Sequence, residues 1–388
     1  MGVYICPPRS LIFESQNSIT FQLHSLQKHS LHCTPLSKMV QNKSLIFSSI
    51  PHGYPVPGKD LTVKEAELDL NSVPEGGVIT KNLFVSFDPY QRGRMRDASI
   101  KSYAPAFELG SVVSNNGVAE IIKSSNPDFP VGQIVVGYLG SENYSVIPKE
   151  YLGGFSKIDN KYNLPLSNYT SALGMPGLTA YSSLYKIGKP KKGETIFISA
   201  ASGAVGQIVG QLCKREGLTV IGSVGSDEKV AFAKNELKFD EVFNYKTISN
   251  AEALKKLALN GIDIYYDNVG GEALEAALEA ANQGARFIEC GMISAYNAKS
   301  KDELYLPGNL MNIISKRLTL QGFIVGDPEF GPAYAEEHRE NVSKWLANGE
   351  IIIKESISEG VENAAEGFVG MLQGKNFGKA VLKLVHSE

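Results

Sequence analysis

The sequence predicts an α/β protein in which a doubly wound parallel sheet is joined to a smaller β-rich domain. Three observations carry this: a strand–turn–helix unit at residues 195–215, five further strands alternating with helical patterns up to about residue 326, and an earlier stretch of short strands divided by Pro and Gly turns. At 388 residues the chain is long for one core and comfortable for two domains.

Taken in order, residues 1–38 differ in composition from the rest. They hold His24, His29 and His32, two of the four cysteines (Cys6 and Cys33), and Glu14 as their only acid. A Ser-rich, acid-poor start suggests an organelle transit peptide, yet Arg9 is its only arginine and Pro7-Pro8 breaks any helix there. A tail, or an upstream start to a chain that begins naturally at Met39, is the simpler reading. Without fixed geometry the three histidines make poor metal ligands.

Residues 39–170 form the β-rich domain, with strands expected near 77–85, 117–122, 133–138 and 143–147 and no long helix. Residues 171–326 alternate strands (195–200, 219–223, 241–243, 263–267, 285–290 and 318–325) with helices. In the first of these helices Val205, Ile208, Val209 and Leu212 repeat at i, i+3, i+4, i+7, while Gln207, Gln211, Lys214 and Arg215 point elsewhere. A later helix sets Leu274, Ala277, Leu278 and Ala281 against Glu272, Glu275 and Glu279, a solvated face without chemistry. Residues 327–388 read as a helix (333–348), an apolar strand (351–353), a helix (361–372) and a last strand (380–385) that returns to the first domain.

Bulk properties exclude several classes. A net charge of −3 gives no case for nucleic acid or an anionic membrane, and no apolar run approaches the ~20 residues that span a bilayer. Cys213 and Cys290 lie within the strand–helix region and no C-x-x-C pair occurs, so buried free thiols, a reducing compartment and a cytoplasmic location are expected.

The chemistry begins at the first strand exit. Ala201-Ser-Gly203-Ala-Val-Gly206 is the fingerprint G-x-G-x-x-G/A with alanine at its first glycine, and it links a strand to a helix. Free backbone N–H groups and a positive helix end meet there, which suits a pyrophosphate. About 20 residues on, where NAD would need an acid, stands Ser223. Ser226 and Lys229 suit a 2′-phosphate, and Asp227 and Glu228 are accounted for as the acidic first turn of a helix, so NADP(H) is the expected cofactor. Asn244-Tyr-Lys246, Asn268-Val-Gly-Gly271 and Gly291-Met-Ile-Ser294-Ala-Tyr296 follow the next strands and together describe one wall of a dinucleotide cleft. The β-rich domain lacks cysteine and has His52 as its sole histidine, so no metal is expected. A tyrosine hydroxyl would then stabilise a developing enolate, and Tyr296 and Tyr90 are placed for it.

From Met39 onward the chain resembles the zinc-independent medium-chain reductases, which include plant alkenal double-bond reductases and mammalian prostaglandin/leukotriene reductases. The resemblance rests on Asp88-Pro-Tyr-Gln-Arg92, Gly174-Met-Pro-Gly-Leu-Thr-Ala-Tyr181, Ser199-Ala-Ala-Ser-Gly-Ala-Val-Gly206, Asn244-Tyr-Lys246, Asp267-Asn-Val-Gly-Gly271, Cys290-Gly-Met-Ile-Ser294 with Tyr296, and Gly374-Lys-Asn-Phe-Gly378. It implies a GroES-like catalytic domain beside a Rossmann domain, NADPH as cofactor, and commonly a homodimer. It implies further that Ser202, Gly203, Ala204 and Val205 meet the pyrophosphate and that Gly225, Lys229 and Tyr245 meet the adenosine phosphate. Asn268, Cys290, Ser294, Phe323, Ile324, Val325 and Asn376 would line the nicotinamide side, with Tyr296 at the enolate and Tyr90 at the substrate pocket. Where plant members often carry Gly-Tyr-Gly, this chain reads Asn115-Asn116-Gly117, so that wall differs. The reading is NADPH-dependent reduction of the C=C bond of α,β-unsaturated aldehydes or ketones, by hydride transfer to the β-carbon. The alternatives are an NADPH:quinone reductase, or a nucleotide-binding module with vestigial activity.

Overall fold

The computed structural model describes residues 39–386, so the expectations for residues 1–38 lie outside it. The described chain opens with an antiparallel ribbon, β1 (Met39–Phe47) against β2 (Leu61–Asp69). Next come β3 (Val78–Ser86), the short helix α1 (Tyr90–Arg94), β4 (Ser114–Ser124), β5 (Ile134–Gly140), β6 (Tyr144–Ile147) and β7 (Ser156–Lys157). These strands pair antiparallel around a core that includes Val78, Val85, Ile121, Val135 and Leu139.

Helix α2 (Met175–Ser183) leads to a six-stranded parallel sheet. Its members are β8 (Thr195–Ile198), β9 (Thr219–Val224), β10 (Glu241–Asn244), β11 (Ile262–Asp267), β12 (Ala281–Glu289) and β13 (Thr319–Gly322). They lie in the order β10-β9-β8-β11-β12-β13, the Rossmann arrangement. Helices α3 (Gly206–Arg215), α4 (Asp227–Asn235), α5 (Asn250–Leu257) and α6 (Gly271–Ala280) follow successive strands, and α7 (Met311–Ser315) precedes β13. Both faces are covered, so β8 is apolar after Thr195: Ile196 and Ile198 pack with Val209 and Leu212, while Phe197 stacks on Tyr265 with ring centroids 5.1 Å apart.

After α8 (Gly331–Ala347) the chain returns to the first sheet. Strand β14 (Glu355–Glu359) runs parallel to β15 (Lys379–Lys383), β15 pairs antiparallel with β3, and α9 (Ala364–Leu372) lies between them. Among the described residues no helix is long and apolar enough to cross a membrane.

Two expectations are corrected. Residues 351–353 are not a strand, because two buried glutamines of α3 take up the backbone groups of residues 352 and 354. The Gln211 amide donates to Ile352 O and accepts from Ile352 N, each at 2.9 Å. Gln207 does the same for Lys354, at 3.2 and 2.9 Å. An apolar segment whose backbone is satisfied by buried side chains has no need of a strand partner. Ala281 likewise opens β12 rather than ending a helix.

Candidate active site

The cleft begins where β8 and β11 diverge, the point at which strand order reverses and open α/β sheets bind ligands. Ala200 leaves β8 with φ +49°, and the Ala201 amide donates to Ser223 O at 3.0 Å, so the chain turns sharply into α3. A Cβ on Gly206 would lie 2.6 Å from Ala200 O, which only glycine tolerates without shifting the turn. Alanine at the fingerprint's first position fits because β9 makes room: a Cβ on Gly222 would come within 2.7 Å of the Ala201 methyl. Ser202 is buried, while Gly203, Ala204 and Val205 reach the surface. The amides of Ser202 and Val205 make no hydrogen bond among the described residues and stand at the positive end of α3.

At the ends of β9 and β10 the site is cationic. A Cβ on Gly225 would lie 2.9 Å from the Tyr245 hydroxyl, so glycine lets that ring lie against the backbone. Ser226 caps α4, its Oγ accepting from the Lys229 amide at 3.3 Å, which leaves its hydroxyl proton for a ligand. Lys229 Nζ donates to Gly374 O at 2.7 Å, and burial and then the charge of Lys246 lower its pKa. Among the described residues neither lysine pairs with a carboxylate. Asp227 accepts instead from Asn244 Nδ2 at 2.8 Å. Two neighbouring cations without a counter-ion, beside a glycine cradle and with Ser223 where an acid would be, fit a 2′-phosphate.

The loop at residues 374–378 lies against this end. Gly378 pairs with Gly203 in an isolated bridge, Phe377 packs on Phe232 with centroids 5.0 Å apart, and Asn376 Nδ2 donates to Gly378 O at 2.6 Å. Asn376 thus stands two residues from the strand-like contact with the phosphate turn.

That far end is a cavity of about 570 Å³ lined by Tyr103, Glu289, Cys290, Gly291, Met292, Tyr296, Gly322, Phe323, Ile324 and Asp327. Cys290, Tyr296, Phe323 and Ile324 thus come together as expected residues. Asn268, Ser294 and Val325 stand behind them. Asn268 Nδ2 donates to Ser199 O at 2.8 Å, Ser294 Oγ donates to Val269 O at 2.6 Å, and Val325 O accepts from the Gly331 amide at 2.8 Å. The Tyr296 hydroxyl accepts from the Met292 amide at 3.3 Å, and its proton has no acceptor among the described residues. Burial pushes the Tyr296 pKa up to about 12, so the group is a neutral donor at any ordinary pH. Burial pushes the Cys290 thiol up to about 12 as well, which keeps it a poor nucleophile.

Tyr90 is not in this cavity. Its hydroxyl donates to Asn115 Oδ1 at 2.8 Å, and Asn115 is fully buried. Asn115 Nδ2 in turn donates to Ser86 O, Asp88 Oδ2 and Gln91 Oε1 at 2.9, 2.8 and 3.1 Å. The departure at Asn115 is therefore an anchor for the Asp88–Arg92 segment. Arg92 completes the link across the cleft, its Nε donating to Asn297 Oδ1 at 3.0 Å, one residue beyond Tyr296.

Sequence reasoning missed Tyr103, Glu289 and Asp327 as cavity residues and Lys246 as a second cation. None of Tyr103, Glu289 and Asp327 carried a local signal. Among the described residues no group of three His, Cys, Asp or Glu side chains could hold a metal ion.

Comparisons with known proteins agree with this architecture. Residues 43–153 match the family described as the N-terminal domain of oxidoreductase, and residues 204–345 match that described as zinc-binding dehydrogenase. The chain is 51% identical over 347 residues to an NADP-dependent oxidoreductase, RED1, of Cochliobolus heterostrophus, covering 89% of this chain and 98% of the relative. It is 42% identical over 352 residues to an NADP⁺-dependent 2-alkenal reductase of Nicotiana tabacum, covering 89% and 98%. Among solved structures, CurA of Vibrio vulnificus in complex with NADPH superposes with a TM-score of 0.81 at 37% identity, over 89% of this chain and all (100%) of that one.

Proposed function

The chain belongs to the medium-chain dehydrogenase/reductase family of NADP-dependent oxidoreductases, and from that premise we propose that it reduces the C=C bond of α,β-unsaturated aldehydes or ketones. The observation that carries this is the unspent proton of Tyr296, on the wall of a cavity at the strand exits and four residues beyond the Met292 amide that fixes its oxygen. NADPH, when bound, supplies a hydride for the β-carbon. The residues of this chain do the rest. Ser202 to Val205 would hold the pyrophosphate, and Gly225, Ser226, Lys229 and Tyr245, with Lys246, the 2′-phosphate end. Cys290, Phe323 and Ile324 would flank the nicotinamide. Tyr296 would donate to the substrate oxygen as its negative charge develops, a gain larger in the transition state than in the ground state. The tobacco relative, named for alkenal reduction, supports this substrate class.

The test is NADPH oxidation by the purified protein with enals, enones, quinones and saturated aldehydes. Turnover of enals or enones with formation of the saturated carbonyl is expected. Turnover of quinones alone would replace this reading.

The partner surface fits a second copy of this chain. Among the described residues strand β13 pairs only with β12, which leaves one edge open. Beside it Leu306, Met311 and Ile314 are 80%, 71% and 71% exposed, an apolar surface of the kind that marks an interface. Light scattering is expected to show a dimer for the natural chain and a monomer for Ile314→Asp.

A further inference from the structure

Glu289 ends β12 in register with Asp267, which ends β11. Asp267 is fully buried. Its Oδ1 is saturated by the Tyr265 hydroxyl and the Val269 and Gly270 amides, each at 2.8 Å, with Ser199 Oγ at 3.2 Å. Among the described residues its Oδ2 and both carboxyl oxygens of Glu289 are buried without a hydrogen-bond partner, and the register sets the two side chains next to each other on one face of the sheet. Two buried carboxylates side by side are costly to ionise together, so one proton is retained until the pH rises or a positive charge comes near. The donors on Oδ1 keep the charge on Asp267, so the shared proton sits on Glu289 and fills the vacancy at Oδ2. Burial first, and then the Asp267 charge, push Glu289 up to about 8.

We infer that this pair carries one proton when the nicotinamide is reduced and releases it to solvent when the ring is oxidised, so that it sets the site's preference between NADPH and NADP⁺. The inference rests on the reading that the ring lies in the cavity lined by Glu289. The reduced ring is neutral and the oxidised ring carries a positive charge. A positive charge beside the pair favours its doubly ionised form, in which the Glu289 O–H bond has broken and the proton has left to bulk water. The other titratable groups near the pair are Tyr265 from β11, whose hydroxyl bonds Asp267, Cys290 and Tyr296 beyond β12, and Tyr103 and Asp327, which line the same cavity as Glu289; Tyr266 points to the opposite face, against Ser183. Burial pushes Tyr296 and Cys290 up to about 12, above the range concerned. Among the described residues no lysine, arginine or histidine pairs with either carboxyl. Below the titration of the pair the oxidised cofactor is held less tightly, which favours its release after turnover.

The test is direct titration of the protein with NADP⁺ and, separately, with NADPH. Both cofactors share the same phosphates, so the ratio of their dissociation constants isolates the ring. In the natural chain, Kd(NADP⁺)/Kd(NADPH) is expected to fall about tenfold between about pH 6.5 and about pH 9.5, equivalent to a shift of about one pKa unit. Calorimetry in buffers of different ionisation enthalpy should show proton release on binding NADP⁺ and none on binding NADPH. Glu289→Gln keeps a donor for Asp267 Oδ2 but has no proton to lose. Its ratio should stay at the low-pH value throughout, with thermal unfolding unchanged. A pH-independent ratio in the natural chain, or an unchanged pH dependence in Glu289→Gln, would overturn the inference. Neither readout involves an enone, so failure of the proposed reaction would show separately, as absent turnover with the cofactor linkage intact.

Discussion

The two ends of the cleft are built from different material. At the phosphate end the working parts are backbone amides, glycines and one helix terminus, all within or beside Ser199–Gly206, with two lysines close by. At the cavity end they are side chains brought together from separate segments: Tyr103, Glu289 to Tyr296, and Gly322 to Asp327. A backbone device tolerates change in side chains provided the space remains, as the alanine at position 201 shows by borrowing room from Gly222. A side-chain device depends on individual atoms. The first kind therefore recurs as a contiguous pattern, and the second does not.

The contrast is tested hardest at Tyr296. Tyr296→Phe keeps the ring and removes one donor, so kcat with an enone should fall roughly ten- to a hundredfold, with substrate KM and NADPH affinity nearly unchanged. Steady-state kinetics and an NADPH titration check it; an unchanged kcat would leave the cavity end without its proposed donor. Next in size is Lys229→Ala, which should weaken use of NADPH by about 1–3 kcal/mol and leave use of NADH almost unaffected. Equal efficiency of the natural chain with both cofactors would mean that the lysine pair does not read the 2′-phosphate. The smallest effect on rate is expected from Tyr90→Phe. It leaves the buried Asn115 Oδ1 without its donor, which should destabilise the fold by about 1–3 kcal/mol while kcat stays within about twofold. Denaturant unfolding beside kinetics would separate the two tyrosines, since the same substitution should reach the rate at one and the stability at the other.

What the sequence made legible follows the same division. The parallel sheet, the phosphate turn and the exits after β10, β11 and β12 could be read because apolar runs and small-residue turns alternate along the chain. Tyr296 could be read because it follows one of those exits. The setting of Tyr90 could not be read because its hydroxyl bonds Asn115, which arrives from another strand. The setting of Asn376 could not be read because its loop lies against Gly203 and Lys229, more than a hundred residues away. Glu289 was overlooked because its meaning lies in register with Asp267, and pairing between parallel strands leaves no local mark.

The two buried glutamines of α3 bear on how portable this nucleotide-binding half would be if grafted elsewhere. Gln207 and Gln211 each supply both a donor and an acceptor to one residue of the strap at residues 352–354. A glutamate at either place would offer only acceptors and a leucine would offer nothing, so neither replacement reproduces the pattern. The helix that begins at the cofactor turn therefore also acts as the docking rail for the strap that leads into β14. A chimera exchanging only residues 171–326 for another Rossmann unit would inherit the strap without its rail, and a recombination boundary that respects the molecule has to carry the two glutamines and the strap together.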